Sequence, residues 1–329
     1  MAANTCPEGP AKNPSFCLTI ESVTLVIPND MTVKRHSIFM VMAILGIVAL
    51  FLGILMTVIL SFFGPSVSFS FGNKIGVIPI EGSILDPEPI VSQLIAFKKD
   101  KGIKAIILRI NSPGGGVAPS QEIYREVRKT IKSKQVVVSM GNLAASGGYY
   151  IASAANKIVA NPGTLSGSIG VIMEFIQLED LLKRIGVGLE VLKSGEFKDI
   201  GSPHRKMSDR DRDLISELIL EIQGQFVEAV AKGRNIPVER IREIADGRIL
   251  SGARCKELGL VDVLGNFQDA VDLAKGLSGI DGDVTLVYMK KSKGKFWDLV
   301  FENATRSFFR TFRDMLYTGI EYRWDGLSR

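Results

Sequence analysis

The chain has 329 residues, 46% of them hydrophobic, with a formal charge of +5. That length holds one large domain or two small ones, and no Lys/Arg run is long enough for a nucleic-acid track, so no nucleic-acid partner is expected. Three cysteines (Cys6, Cys17, Cys255) and two histidines (His36, His204) leave no metal-ligand spacing, no disulfide within residues 64–329 and little room for a Ser-His-Asp triad.

Residues 1–37 read as a polar, Pro-containing tail without a clear period. Met31, before Lys34 and Arg35, looks like a natural start. Residues 38–63, from Ile38 to Phe63, carry no charge and are long enough to span a bilayer as a helix. Ser61-Phe62-Phe63-Gly64-Pro65 offers no Ala-x-Ala cleavage site, so the segment is expected to stay as an anchor. Lys34 and Arg35 before it, and no charge from Pro65 to Gly72 after it, place the N-terminus in the cytoplasm and the rest outside it.

Residues 64–289 alternate between the two periodicities. Strands are expected at Ile75–Ile80, Lys104–Ile110, Gln135–Met140, Lys157–Ala160, Leu189–Leu192 and Val284–Met289. Helices are expected at Pro87–Lys99, Val117–Ser133, Glu179–Ile185, from Ser208 through Val230, after Pro237, and at Asn266–Leu277. This alternation implies crossover connections and an α/β fold with largely parallel sheets and flanking helices. Residues 290–329 change character. Trp297, Trp324, Phe296, Phe301, Phe308, Phe309 and Phe312 are interleaved with Arg306, Arg310 and Arg313, which suits either a membrane-surface helix or a helix packed on protein.

The chemistry gathers around Gly141-Asn-Leu-Ala-Ala-Ser146-Gly-Gly148. It follows one strand and precedes a small, apolar helix start. Small neighbours let a substrate carbonyl reach Ser146, and the Gly147 N–H can face a developing oxyanion. Upstream, Asn111-Ser-Pro-Gly114-Gly-Gly116 is a Gly-rich turn after a strand. It lacks the Gly-Lys-Ser/Thr ending of a P-loop and the Gly-x-Gly-x-x-Gly of a dinucleotide site, and it could supply the second oxyanion N–H. A nucleophilic serine also needs a base. With histidines so scarce, Lys198 in Gly195-Glu-Phe-Lys-Asp-Ile-Gly-Ser-Pro203 can serve if burial among apolar groups lowers a lysine pKa from about 10.4 towards neutrality. Gly163-Thr-Leu-Ser166-Gly-Ser168-Ile-Gly170 offers Ser168 or Ser166 to orient the amine.

Four ordered motifs now stand together: Ser112-Pro-Gly-Gly, Ala-Ala-Ser146-Gly-Gly-Tyr-Tyr, Gly-Ser168-Ile-Gly-Val and Phe-Lys198-Asp-Ile-Gly-Ser-Pro. With Gly247 to Ala253 and Gly259 to Asp262, they resemble the signal peptide peptidase A family of Ser/Lys serine proteases, in its short, single-copy form. The resemblance covers roughly residues 70–280. It implies a ClpP/crotonase-like fold, Ser146 as nucleophile, Lys198 as general base, Ser168 as the hydroxyl holding the amine, and Gly114 and Gly147 as oxyanion donors. It also implies an endopeptidase that degrades hydrophobic peptides such as remnant signal peptides at the membrane, with no cofactor. In longer members the lysine and serine lie in different tandem copies, so a single-copy chain implies a homo-oligomer in which Lys198 of one protomer serves Ser146 of the next. Alternatives are a membrane-protein quality-control protease, a crotonase-like acyl-CoA enzyme or a non-catalytic scaffold.

Overall fold

The computed structural model describes residues 31–63, 73–289 and 321–323. The polar N-terminal tail with Cys6 and Cys17, and the aromatic segment from Phe296 to Phe312, lie outside the described residues. The chain divides into two units, residues 1–69 and 70–329. The first contains helix α1, Met31–Phe63. Its stretch Phe39–Thr57 is apolar and exposed, and is long enough to cross a membrane.

The second unit is an α/β layer structure. Its sheet holds β1 (Lys74–Glu81), β2 (Ile103–Ser112), β4 (Gln135–Ala145), β5 (Lys157–Ala160), β6 (Leu165–Gly167), β7 (Ile249–Ser251), β8 (Val263–Leu264) and β9 (Thr285–Tyr288). The main path runs β7-β6-β4-β2-β1-β9, and β5 pairs with β4 and β8. All pairings in this sheet are parallel except β6 with β7. The strands are apolar on both faces because both faces are covered. Ile106, Leu108 and Ile110 of β2 join the core beneath α2 (Glu88–Lys99), α3 (Val117–Thr130) and α6 (Asp209–Arg234). Ala105 and Ile107 of the same strand point the other way, into a smaller core closed by Ala270, Val271 and Ala274 of α9 (Phe267–Leu277). Pro79 sits within β1, past the last β9 partner pair Val77–Tyr288, where no second described neighbour needs the N–H it lacks.

Two helices lie close to the site. Helix α4 (Gly147–Ala152) follows β4 directly. Helix α6 opens on a reciprocal cap, Ser208 Oγ accepting from the Asp211 N–H and the Asp211 carboxylate accepting from the Ser208 N–H. Gly233 of α6 passes so close to α4 that a methyl there would sit 2.1 Å from the Ser153 carbonyl oxygen. Of the sequence-expected elements, Leu189–Leu192 forms no strand. These residues are exposed, with no neighbouring strand among the described residues to complete a ladder.

Candidate active site

Ser146 stands between β4 and α4 with φ +52 and ψ −118, a conformation a non-glycine residue adopts only when its surroundings enforce it. Two hydrogen bonds enforce it here. The Ser146 N–H donates to the Gly167 carbonyl at 2.9 Å, and its carbonyl accepts from the Tyr150 N–H at 2.8 Å. The side chain is 1% exposed, yet Oγ has no hydrogen-bond partner. A buried hydroxyl without a partner costs of the order of 1–3 kcal/mol. Strain and an unsatisfied hydroxyl on the same residue are features of a reacting group rather than of a packed one.

The Gly-rich turn expected after β2 is in fact a short strand, β3 (Gly114–Gly116). It is pressed between two backbones. On one side Ile84 donates its N–H to the Gly114 carbonyl at 2.8 Å and accepts from the Gly116 N–H at 2.9 Å. On the other side lies β10 (Glu321–Arg323), antiparallel, with Tyr322 opposite Gly115 and Arg323 opposite Gly114. A methyl at Gly115 would lie 2.3 Å from the Ile84 carbonyl oxygen. One at Gly114 would lie 1.9 Å from the Tyr322 carbonyl oxygen and 2.8 Å from the Gly147 nitrogen. Both glycines also hold positive φ, +109 and +155, so glycine is needed at these two positions for space and for dihedral angle alike.

The Tyr322 carbonyl thus lies against Gly114 and Gly147 together, beside the residue that follows Ser146. A methyl on Gly147 would meet this oxygen at 3.2 Å. The Gly114 N–H donates to Ser112 Oγ at 3.1 Å, which in turn donates to the Gly82 carbonyl at 2.6 Å. The Tyr322 ring is fully buried. It stacks on Tyr150 at 5.2 Å between centroids and tilts against Phe226 at 4.6 Å, and its hydroxyl donates to the Ile222 carbonyl at 3.3 Å. Burial pushes the Tyr150 hydroxyl up to about 12 and the Tyr322 hydroxyl higher still. Sequence reading missed this aromatic subsite. Tyr150 is visible in the motif, but nothing in sequence couples it to a residue near the C-terminus.

Ser168 is buried with φ +50, and its N–H donates to the Arg248 carbonyl at 2.8 Å. It neighbours Gly167, which holds Ser146, so it is near the elbow by construction. Ser166, the other candidate, spends its hydroxyl on the Ala144 carbonyl at 2.7 Å.

Lys198 lies on a 3-10 turn, Glu196–Asp199, and is exposed rather than sheltered among apolar groups. Its neighbours fix the turn. Asp199 binds Lys193 and Arg205, each at 2.8 Å, and Arg205 reaches Asp211 at 2.5 Å. Arg205 beside them holds Asp211 down at about 2 and Asp199 below the usual carboxylate range. Arg210 pairs with Glu196 at 2.8 Å and lies over the Phe197 ring. The Lys198 amine makes no hydrogen bond or ion pair among the described residues, and Ser146 Oγ receives none. The chain therefore brings Ser146, Gly147, Gly114 and Ser168 together, but it does not join Lys198 to them. No group of His, Cys, Asp and Glu that could hold a metal ion occurs among the described residues.

The chain matches the family model of Peptidase family S49 over residues 128–281 and that of Clp protease over residues 78–163. It is 44% identical over 212 residues to the Synechocystis sp. protein "Putative protease slr0021", covering 64% of this chain and 76% of that one. The chain belongs to peptidase family S49, the signal peptide peptidase A family. S49 relatives include the Arabidopsis thaliana "Serine protease SPPA, chloroplastic", 31% identical over 262 residues, 77% of this chain and 39% of the relative. "Protease 4" of Haemophilus influenzae is 35% identical over 219 residues, 64% of this chain and 35% of that protein. As an S49 member the protein is a serine peptidase with a ClpP-like α/β fold, and peptide substrates follow from the same kinship.

Proposed function

We propose that this S49 peptidase is a membrane-anchored endopeptidase of hydrophobic peptides, such as spent signal peptides, and that it works by a Ser146/Lys198 dyad. Ser146 Oγ attacks the peptide carbonyl, and the Lys198 amine takes the proton and returns it to the leaving nitrogen. Water then cleaves the acyl-enzyme. Gly147, with Gly114 once Ser112 Oγ yields its N–H, stabilises the oxyanion, and Ser168 orients the amine. Helix α1 is the anchor. Lys34 and Arg35 put the N-terminus in the cytoplasm and the peptidase unit outside it.

The observation that carries this reading is the buried, unpartnered Ser146 Oγ beside a peptide strand whose carbonyl rests on Gly114 and Gly147. β10 supplies the template for a substrate, an extended peptide added antiparallel to β3 with an aromatic or apolar side chain in the Tyr150/Phe226 pocket.

The exposed lysine belongs to the same reading. Within one chain Lys198 is solvated, and the segment around it leaves Leu181, Ile185, Leu189 and Leu192 exposed, Leu192 at 93%. Packing that arm on a neighbouring protomer would bury those side chains and could carry Lys198 to the neighbour's Ser146. Such a head-to-tail contact closes into a ring of identical subunits.

A serine-reactive acylating probe should label the wild type and neither Ser146→Ala nor Lys198→Ala. Co-expression of the two inactive variants then tests the neighbour's role. Mixed rings should regain about a quarter of wild-type activity if each site draws on two protomers. Labelling that persists in Ser146→Ala would refute the nucleophile, and mixed rings that stay inert would refute sharing.

A further inference from the structure

Helix α3 buries Ile123 and Val127 and turns a cationic face outward. Arg125, Arg128 and Lys129 recur at intervals of three and four, so they share that face, and Lys132 follows in the turn just past the helix end. Lys232 of α6 stands across from them, and the five cations border a cleft of about 540 Å³ with no aspartate or glutamate in its lining. Lys129 is neutralised by Glu126 at 2.9 Å. Arg125, Arg128, Lys132 and Lys232 have no ion-pair partner among the described residues.

Both arginines border the cleft beside a tyrosine, Tyr124 or Tyr150, that also lines it. Arg125 acts on the Tyr150 hydroxyl and Arg128 on that of Tyr124, in each case partly offsetting the rise caused by burial. Tyr150 is part of the lining, and the same ring packs against Tyr322. The cleft therefore adjoins the aromatic subsite without being part of it.

Unpaired cations gathered around one concavity repel one another, and the repulsion is relieved by an anion held among them. Two guanidinium forks match tetrahedral oxyanions better than a lone carboxylate, and two ammonium groups add point charge. We propose that this cleft is a binding site for a phosphate-bearing anion, supplied either as a phospholipid headgroup or as a soluble phosphate.

The test uses the full chain in a neutral detergent and follows thermal unfolding in two arms. One arm compares inorganic phosphate with chloride at matched ionic strength. The other compares micelles doped with phosphatidylglycerol against micelles doped with phosphatidylcholine. At a hundredfold excess over Kd the midpoint should rise by roughly 5 °C. The rise should vanish in Arg125→Gln/Lys232→Gln, which removes charge without reversing it, and persist in Ser146→Ala, so that the result does not depend on the dyad. A rise with phosphate alone assigns a soluble anion, a rise with phosphatidylglycerol alone assigns a headgroup, and a rise in both supports recognition of the phosphate itself. No rise in either arm, or an equal rise in the double variant, overturns the proposal.

Discussion

In the proposed mode of peptide addition strand β10 takes the substrate's place, so residues 321–323 should compete with substrate. Replacing Tyr322 by alanine tests this. The ring is fully buried, packs against Tyr150 and Phe226, and its hydroxyl reaches the Ile222 carbonyl. Removing a buried aromatic ring costs on the order of 3–5 kcal/mol. Here the loss falls on the docking of one short strand, because among the described residues β10 pairs only with β3 and the main sheet does not include it. Docking should weaken by at least about a hundredfold, since each 1.4 kcal/mol is a factor of ten. A strand that must leave before substrate enters raises the apparent KM by the factor 1 + Kdock and leaves kcat alone. The expected result for Tyr322→Ala is thus an apparent KM at least tenfold lower, with unchanged kcat, on an internally quenched peptide with tyrosine before the scissile bond. Tyr322→Phe forfeits one hydrogen bond of about 1 kcal/mol and should lower KM by only about fivefold. A folded Tyr322→Ala enzyme with the parent's KM and kcat would refute competition.

Gly114→Ala should abolish peptidase activity while leaving the main sheet intact, because the new methyl strikes the Tyr322 carbonyl and the Gly147 nitrogen; circular dichroism and turnover together check this. Gly233→Ala should instead destabilise the fold by about 1–3 kcal/mol, read from a denaturant midpoint, because a methyl 2.1 Å from a backbone carbonyl cannot be absorbed by a side-chain rotation. The Arg205 lock on the Lys198 turn has a pH signature. Asp211 and Asp199 titrate lower in the fold than in the unfolded chain, so the lock is in force above pH ~4 and fails as pH falls towards 2. Hydrogen exchange of residues 196–211 should accelerate over that interval, and Arg205→Ala should show the fast exchange already at pH 6. Cys255 is fully buried, and burial pushes its thiol up to about 11, so in a Cys6→Ser/Cys17→Ser chain N-ethylmaleimide should react only on unfolding.

Most of the fold was legible because its signals are local. Runs such as Ile106-Ile107-Leu108 are apolar on both faces, as a parallel strand between two helical layers must be, and the Ser208/Asp211 cap announces α6. Leu189-Glu-Val-Leu192 carries strand composition as well. Composition cannot supply a neighbour, and among the described residues no strand pairs with the segment. The shortest strands were invisible for the opposite reason. Gly114–Gly116 has no β propensity at all. It is extended because Ile84 and Tyr322 hold it from both sides, a tertiary cause that no window of sequence contains.

The same division runs through the site. The strained Ser146 elbow was legible because such a turn needs glycine and alanine around it, and those residues are contiguous. The proposed base was read only as a residue type, by the scarcity of histidine. Where its amine goes depends on surfaces that one protomer leaves open. A hydroxyl buried without a partner and a lysine exposed without one are two halves of a single account. Each is costly or idle alone, and both are explained if the contact that completes them lies between chains. If so, subunit dilution should switch off peptidase activity without unfolding the protomer, and acylation of Ser146 should fall in step with the oligomer rather than with the amount of folded protein.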